Sequence, residues 1–393
     1  MSARSRALIF TSIGHFLNDS FLVTFSILIT YYLDMKISPL FLGTMGSLIS
    51  ILSGLTSIWV GREADKEGNH NRLMLAGFIL IGLSSLLYAS SFSYHEFTLT
   101  LIALASISLG MGLSFYHTLG GSILQHIYDI KESPRALGIN GSFGSIGRAI
   151  FPVVLVFVIH ALGAPLGLYL IGIYTFILSI IIYSGLKPIN IQVEIKNNNK
   201  ESNKVSLSSF YYVLIPLSIV VFLRAMFISG VQTYAPTYLE FLYKSKLLMS
   251  IILTVSYATA IFGQPYFGRL TSNIGGRSVV FITTIFSTLF YILFLFIKNE
   301  TLSIIMFAVF SFFAFSGFPN LLGYVGQIVD KSVFAQANSL IWGVSNTIGG
   351  AIGIFLGGYI LQIIGLENTM ITFMILALIS TALLPIIPKK RKK

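Results

Sequence analysis

Six residues in this sequence have the chemistry to hold a proton or an anion in apolar surroundings: His15, Asn18, Asp19, His117, Arg148 and Arg224. A carboxylate takes up and releases a proton, an imidazole relays one, and a guanidinium forks two oxygens of an oxyanion. Their placement separates them from surface charges. Asp19 interrupts residues 7–33, an apolar run too long for a soluble amphipathic helix, because about 20 apolar residues at about 1.5 Å each cross a bilayer's hydrocarbon core. Counted from Ala7, its carboxylate lies roughly 18 Å deep, near the midplane. None of the other acids among the 14 in the chain falls at such depth. An acid there costs about 2.5–3.5 kcal/mol even on the lenient insertion scale, so it has to be paired, wetted or used. Arg148 and Arg224 lie at comparable depth in their own apolar runs, out of easy snorkelling reach. One anion for two cations leaves a positive surplus.

The elements that position these groups are apolar segments. With 393 residues, mean hydropathy +0.84, 55% hydrophobic and 10% charged residues, the chain reads as a polytopic membrane protein. Twelve candidate spans fall at about 7–33, 40–60, 73–93, 98–127, 136–160, 165–186, 208–236, 247–267, 278–297, 301–328, 335–361 and 368–387. The net charge of +11 is not clustered in a foldable soluble domain, which argues against a nucleic-acid partner. Of the 25 Lys and Arg, only Lys36, Lys244, Lys246 and Lys298 fall on one side, Arg148 and Arg224 fall within spans, and the rest lie on the other. That bias places both termini in the cytoplasm of a cell whose plasma membrane the chain spans. Cysteine is absent, which excludes disulfides and thiolate metal sites. Arg4 and Arg6 precede the first span without a small-residue cleavage site, so it is expected to be retained. Residues 188–207 form a polar Asn/Lys/Ser linker between an N-terminal bundle, 1–187, and a C-terminal bundle, 208–393. The basic tail Lys389–Lys393 is suited to anionic lipid headgroups.

The two halves overlay at an offset of about 200 to 207 residues. Phe16-Leu17-Asn18-Asp19 falls on Phe222-Leu223-Arg224-Ala225, Tyr32-Leu33-Asp34 on Tyr238-Leu239-Glu240, and Ile146-Gly147-Arg148 on Ile348-Gly349-Gly350. Matches in one order at nearly one offset point to duplication of six spans, an arrangement found in secondary transporters with the substrate site near the midplane. On this overlay Asp19 and Arg224 take equivalent positions and are expected to face each other.

Gly61-Arg62-Glu63-Ala64-Asp65-Lys66-Glu67-Gly68, followed by Arg72, stands between the second and third spans; Gly268-Arg269, with Gly275-Gly276-Arg277 behind, repeats the glycine spacing between the eighth and ninth. This resembles the loop signature of the major facilitator superfamily, Gly-x-x-x-Asp-Arg/Lys-x-Gly. The resemblance implies an all-α membrane fold of twelve helices in two pseudo-symmetric six-helix bundles. It also implies a conformational latch at Gly61, Asp65, Lys66, Gly68, Arg72, Gly268, Arg269, Gly275 and Arg277. In the second copy Ser272 and Asn273 replace the acid and base, and Asn69, His70 and Asn71 stand where the family usually shows arginines. Gly14-His15-Phe16-Leu17-Asn18-Asp19 and Phe115-Tyr116-His117-Thr118 resemble stretches of the fosmidomycin resistance type of efflux transporter within it, with Tyr116 inserted and Thr118 in place of proline. Gly138, Gly141, Gly144 and Gly147 precede Arg148 in a stripe similar to the antiporter branch's fifth-helix signature, lacking its Gly-Pro; close helix packing explains the stripe equally well.

Together these readings give an expectation of a monomeric secondary active transporter, without cofactor or metal, that moves a small anionic or drug-like solute by alternating access with proton-coupled efflux. Uptake of an organic anion or metabolite, or a non-transporting sensor on the same scaffold, are the alternatives. Asp19 and His15 are the expected proton-coupling groups, because a midplane carboxyl that keeps its proton in apolar surroundings releases it when a guanidinium approaches. Arg148, Arg224, Asn18, His117, Gln232, Asn320 and Asn346 are the expected substrate-binding groups; a structural role, one arginine tying Asp19 and the other bonding backbone carbonyls, stands beside this. Gln327, Tyr234 and Asn338 can line a cavity or bond between helices. No phosphate loop, metal-ligand pair on one helix face or Ser/His/Asp arrangement supports an enzyme.

Overall fold

The computed structural model describes the backbone of residues 1–129, 132–189, 206–330 and 333–387, and the side chains of these except residues 65, 67, 134, 318–320, 322 and 335. Most of the linker 188–207 and the basic tail lie outside the described residues, as do the side chains of Asp65 and Asn320. Every described element is helical, as a lipid-embedded chain requires when backbone groups have no water to bond. The helices are α1 Ala3–Phe21, α2 Thr24–Asp34, α3 Pro39–Glu67, α4 His70–Ser91, α5 Thr98–Ile127, α6 Ser133–Leu162, α7 Ala164–Leu186, α8 Tyr211–Tyr243, α9 Lys246–Ile274, α10 Gly276–Phe296, α11 Glu300–Ala314, α12 Gly317–Ile328, α13 Phe334–Asn338, α14 Gly349–Ile364 and α15 Leu366–Ala382.

Eleven segments among the described residues are long and apolar enough to cross a membrane. The tenth expected span, 301–328, is instead two shorter helices, α11 and α12, separated at Phe315 and Ser316. The eleventh contains a π-helical stretch, Ser339–Ile348, whose Ser345 and Thr347 hydroxyls bond carbonyls five residues back, at 3.2 and 3.1 Å. The signature expected as a loop is also mostly helix: α3 runs through Glu67, and the chain turns at Gly68.

The residues with positive φ report the duplication independently of side-chain matches. Among the described residues they are Lys36 and Lys244, Gly68 and Gly275, and Gly163 and Gly365. Each pair is separated by about the repeat offset, so the two halves turn with the same backbone geometry at three corresponding places. One helix approach is duplicated too. A Cβ on Gly147 of α6 would overlap the Phe16 carbonyl oxygen of α1, and one on Gly349 of α14 would meet the Phe222 carbonyl oxygen of α8. Small residues therefore let α1 meet α6, and α8 meet α14, backbone to backbone.

The chain divides into two compact units. One comprises Met1–Tyr31, Leu48–Lys196 and Tyr243–Thr254; the other comprises Tyr32–Ser47, Asn197–Leu242 and Val255–Lys393. Each takes one short piece from the opposite half of the sequence, and the two pieces are counterparts under the repeat. The core of the second unit includes Leu214, Leu217, Val221, Leu321, Val325 and Ile341, all buried.

Candidate functional site

Asp19 lies in the last turn of α1, 1% exposed, and α1 breaks immediately after it: the Asp19 carbonyl accepts from Leu22 at 3.3 Å, and α2 begins at Thr24. The glycines of α6 fix what meets its carboxylate. Gly144 leaves room for the His15 ring and Gly147 for the Phe16 backbone, so α6 lies against α1 and delivers Arg148 to Asp19. A Cβ added at Gly138 or Gly141 would meet nothing within 4 Å, so only the second half of the glycine stripe serves close packing.

Arg148 Nη2 donates to Asp19 Oδ2 at 2.6 Å. The partner of Asp19 within its unit is thus Arg148, while Arg224 belongs to the other unit. The other carboxylate oxygen, Oδ1, faces His117 Nε2 at 3.2 Å and His15 Nε2 at 3.6 Å, and Asn18 Nδ2 stands 3.3 Å from both Asp19 Oδ1 and His117 Nε2. His117 has a side chain 49% exposed, so the buried carboxylate is reached through a wet imidazole. Asn18, Asp19, His15, His117 and Arg148 are brought together as one cluster.

A second layer, absent from the sequence expectation, sets the tautomer of His15. The Thr11 hydroxyl donates to the Ala7 carbonyl at 2.7 Å, so its oxygen accepts from Asn140 Nδ2 at 3.2 Å. That orients the Asn140 amide oxygen toward His15 Nδ1, 2.9 Å away, and toward the Tyr116 hydroxyl at 3.0 Å. An amide oxygen only accepts, so Nδ1 carries the hydrogen. Nε2 of a neutral His15 then turns a lone pair toward a carboxylate oxygen. One proton between them satisfies both. Asn140→Ala removes this orientation and leaves buried donors without their acceptor; the expected result is a loss of about 1–3 kcal/mol, seen as a lower thermal unfolding midpoint, together with a displaced pH profile of transport.

His15, Asp19 and His117 offer ligand atoms within 4.8 Å of one another, a donor set with the composition of a two-histidine, one-carboxylate metal site. Arg148 already neutralises Asp19, so a divalent ion would bring two uncompensated charges into an apolar span where a proton brings one.

The remaining expected residues fall elsewhere. Arg224 lies in α8, 7% exposed, and its Nη2 donates to the Ala314 carbonyl at 3.4 Å. Gln232 is half-buried on α8 and Asn346 half-buried in the π-helical stretch. Gly61 faces Thr118, with Cγ2 of that residue 3.5 Å from an added Cβ; Lys66 and Arg72 are exposed. Gly268 accepts from the Ser272 hydroxyl at 3.5 Å and Arg269 is exposed. Arg277 Nε donates to the Ile387 carbonyl at 2.9 Å and its guanidinium stacks on Phe281. Gln327 bonds between helix ends: its Oε1 accepts from Gly276 N at 2.8 Å and its Nε2 donates to the Thr271 carbonyl at 3.1 Å. The Tyr234 hydroxyl donates to the Ile354 carbonyl at 3.0 Å.

The sequence profile of the Major Facilitator Superfamily matches residues 8–249 and, in a second match, 217–393. The chain belongs to that superfamily, and it is a membrane transporter rather than an enzyme. Its fold is similar to a bacterial homolog of the human lysosomal transporter Spinster, in an inward-facing and occupied conformation, with a TM-score of 0.78 and 14% identity over 98% of this chain and 96% of that one. It is also similar to a mutant of the nucleoside transporter NupG, with a TM-score of 0.75 and 18% identity over 98% of this chain and 100% of that one. No curated protein sequence matches the chain.

Proposed function

We propose that this transporter is a proton-coupled secondary carrier of the plasma membrane, with both termini in the cytoplasm, that exports a small anionic or drug-like solute. The observation that carries the reading is the proton-sized place between Asp19 Oδ1 and the two imidazole Nε2 atoms, beside an arginine already bound to Oδ2. A proton entering by the exposed His117 neutralises Asp19 and loosens its hold on Arg148. Taking up that proton on one side and releasing it on the other switches the Asp19–Arg148 pair between two states, the step a proton-coupled carrier requires. Export is supported by the resemblance of the His15–Asp19 stretch to an efflux type, and the orientation by the distribution of Lys and Arg. Gly61, Asp65, Lys66, Gly68 and Arg72, with the second copy at Gly268, Arg269, Gly275 and Arg277, fit a conformational latch; the paired positive-φ glycines Gly68 and Gly275 support it.

In proteoliposomes whose lumen is more acidic than the bath, antiport predicts that a labelled phosphonate accumulates inside while an entrapped pH dye reports loss of the gradient. Accumulation under the opposite gradient would reverse the direction to symport. Flux that follows only the solute's own gradient, whatever the imposed pH difference, overturns the coupling.

A further inference from the structure

Arg148 and Arg224 are both arginines within spans, and among the described residues an acid pairs with the first alone. Arg148 is held by Asp19, whereas no described carboxylate of the second unit pairs with Arg224. Arg224 is 7% exposed, its Nε is buried without a partner among the described residues, and of its five N–H donors one is engaged there, at the long distance of 3.4 Å. A single carbonyl bond does not compensate a guanidinium held out of water. What surrounds it is the break in the tenth span. α11 ends at Ala314, the residue that takes the one bond, and α12 begins at Gly317. Arg224 Nη1 and Nη2 lie 3.0 and 3.1 Å from where a Cβ on Gly317 would stand, so the guanidinium rests on the first turn of a twelve-residue helix. The leading N–H groups of that turn, which Pro319 interrupts, have no intrahelical acceptors. A helix N-terminus and an unpaired guanidinium each favour negative charge, and here they share one place.

We propose that Arg224 and the first turn of α12 form the seat for the oxyanion of the transported solute, a carboxylate, phosphate or phosphonate. The inference rests on the reading of the chain as a carrier of an anionic solute and gives that solute its binding group. Two oxygens of one oxyanion suit the planar fork of Arg224, and the backbone N–H groups of α12 suit the third oxygen of a phosphate or phosphonate. Gly317 admits the guanidinium to the helix end; any side chain there would press against Nη1. Arg148 has its charge spent on Asp19 in the resting cluster and is not the seat.

Equilibrium binding at constant pH tests this without any proton gradient. The full chain, purified in an uncharged detergent free of phospholipid, is titrated with methylphosphonate, inorganic phosphate and benzoate, read by calorimetry and by thermal shift. At least one of these is expected to bind and raise the unfolding midpoint. Arg224→Lys, which keeps the charge but loses the fork, is expected to bind it about tenfold more weakly or worse, and Gly317→Ala to weaken it without altering the charge. Arg224→Gln is expected to remove binding. Should that variant fail to fold, the lysine and Gly317→Ala variants still decide. Unchanged affinity in Arg224→Lys and Gly317→Ala overturns the proposal, as does a wild-type protein that binds none of the three. Stabilisation by a short-chain phosphatidic acid alone also overturns it, because the occupant would then be a lipid headgroup. pH-driven flux that persists in any of these cases leaves the coupling at Asp19 standing and this seat rejected.

Discussion

Asp19→Asn is expected to abolish accumulation of solute against its gradient under an imposed pH difference. Asparagine keeps the shape of the side chain and an oxygen for Arg148, but it cannot take up or release the proton. Flux should become indifferent to pH while exchange of solute for solute continues, because exchange needs the conformational change and no net proton movement. The same substitution leaves Arg148 as a cation without its anion in an apolar span. Breaking a buried pair from one side costs about 3–5 kcal/mol, so the variant is expected to melt well below the parent. Asp19→Asn combined with Arg148→Gln removes both charges. It should recover most of the lost stability and none of the coupling. The pair of readouts, thermal unfolding and pH-jump flux on the same preparations, separates the two roles of Asp19. A single variant whose flux stays as pH-dependent as the parent's would refute the proton role outright.

Gly147→Leu and Gly349→Leu are expected to give large losses of stability, of similar size. In each case the new side chain would begin on top of a backbone carbonyl oxygen, that of Phe16 or Phe222. A flexible side chain can swing aside; a helix backbone cannot. α1 would have to separate from α6, and α8 from α14, so the penalty should reach or exceed the roughly 1–3 kcal/mol typical of overpacking. Gly138→Ala and Gly141→Ala are the internal controls. An added Cβ meets nothing within 4 Å at either position, and alanine is the better helix former by about 1 kcal/mol. These two variants should melt at or above the parent temperature. Thermal unfolding in one detergent across the four variants checks the set; equal effects at Gly141 and Gly147 would contradict the packing described.

Much of the architecture was legible because continuous apolar runs of about 20 residues cross lipid as helices, and because duplicated turns repeat at fixed places. The pairing of Asp19 with Arg148 was legible too, in the spacing of the glycines. Contact was encoded in the glycines: Gly147 removes a side chain from the face of α6 that meets Phe16, and the residue beside it, Arg148, therefore reaches Asp19 one turn along α1. Asn140 was missed because a lone polar residue in an apolar run shows its face only once the neighbouring helix is placed. Thr11 and Tyr116 acquire a role only through Asn140. The break at Phe315 and Ser316 was hidden by apolar neighbours, although Ser316, Gly317 and Pro319 are residues that open helices. Hydropathy registers what a residue is and is blind to where its backbone stops.

The exchange of short pieces between the compact units bears on the order of synthesis. Residues 32–47 leave the ribosome with the first half of the chain, yet they belong to a unit whose other members begin at Asn197. The first unit, in turn, lacks Tyr243–Thr254 until that stretch has been made. Neither body is complete when translation passes the linker. The facing ends of α2 and α3 are then made before the residues with which they are grouped. A gene cut at the linker would therefore yield two fragments that are each unfinished, and co-expression, with the missing pieces supplied in trans, is the condition under which split versions of this carrier should assemble.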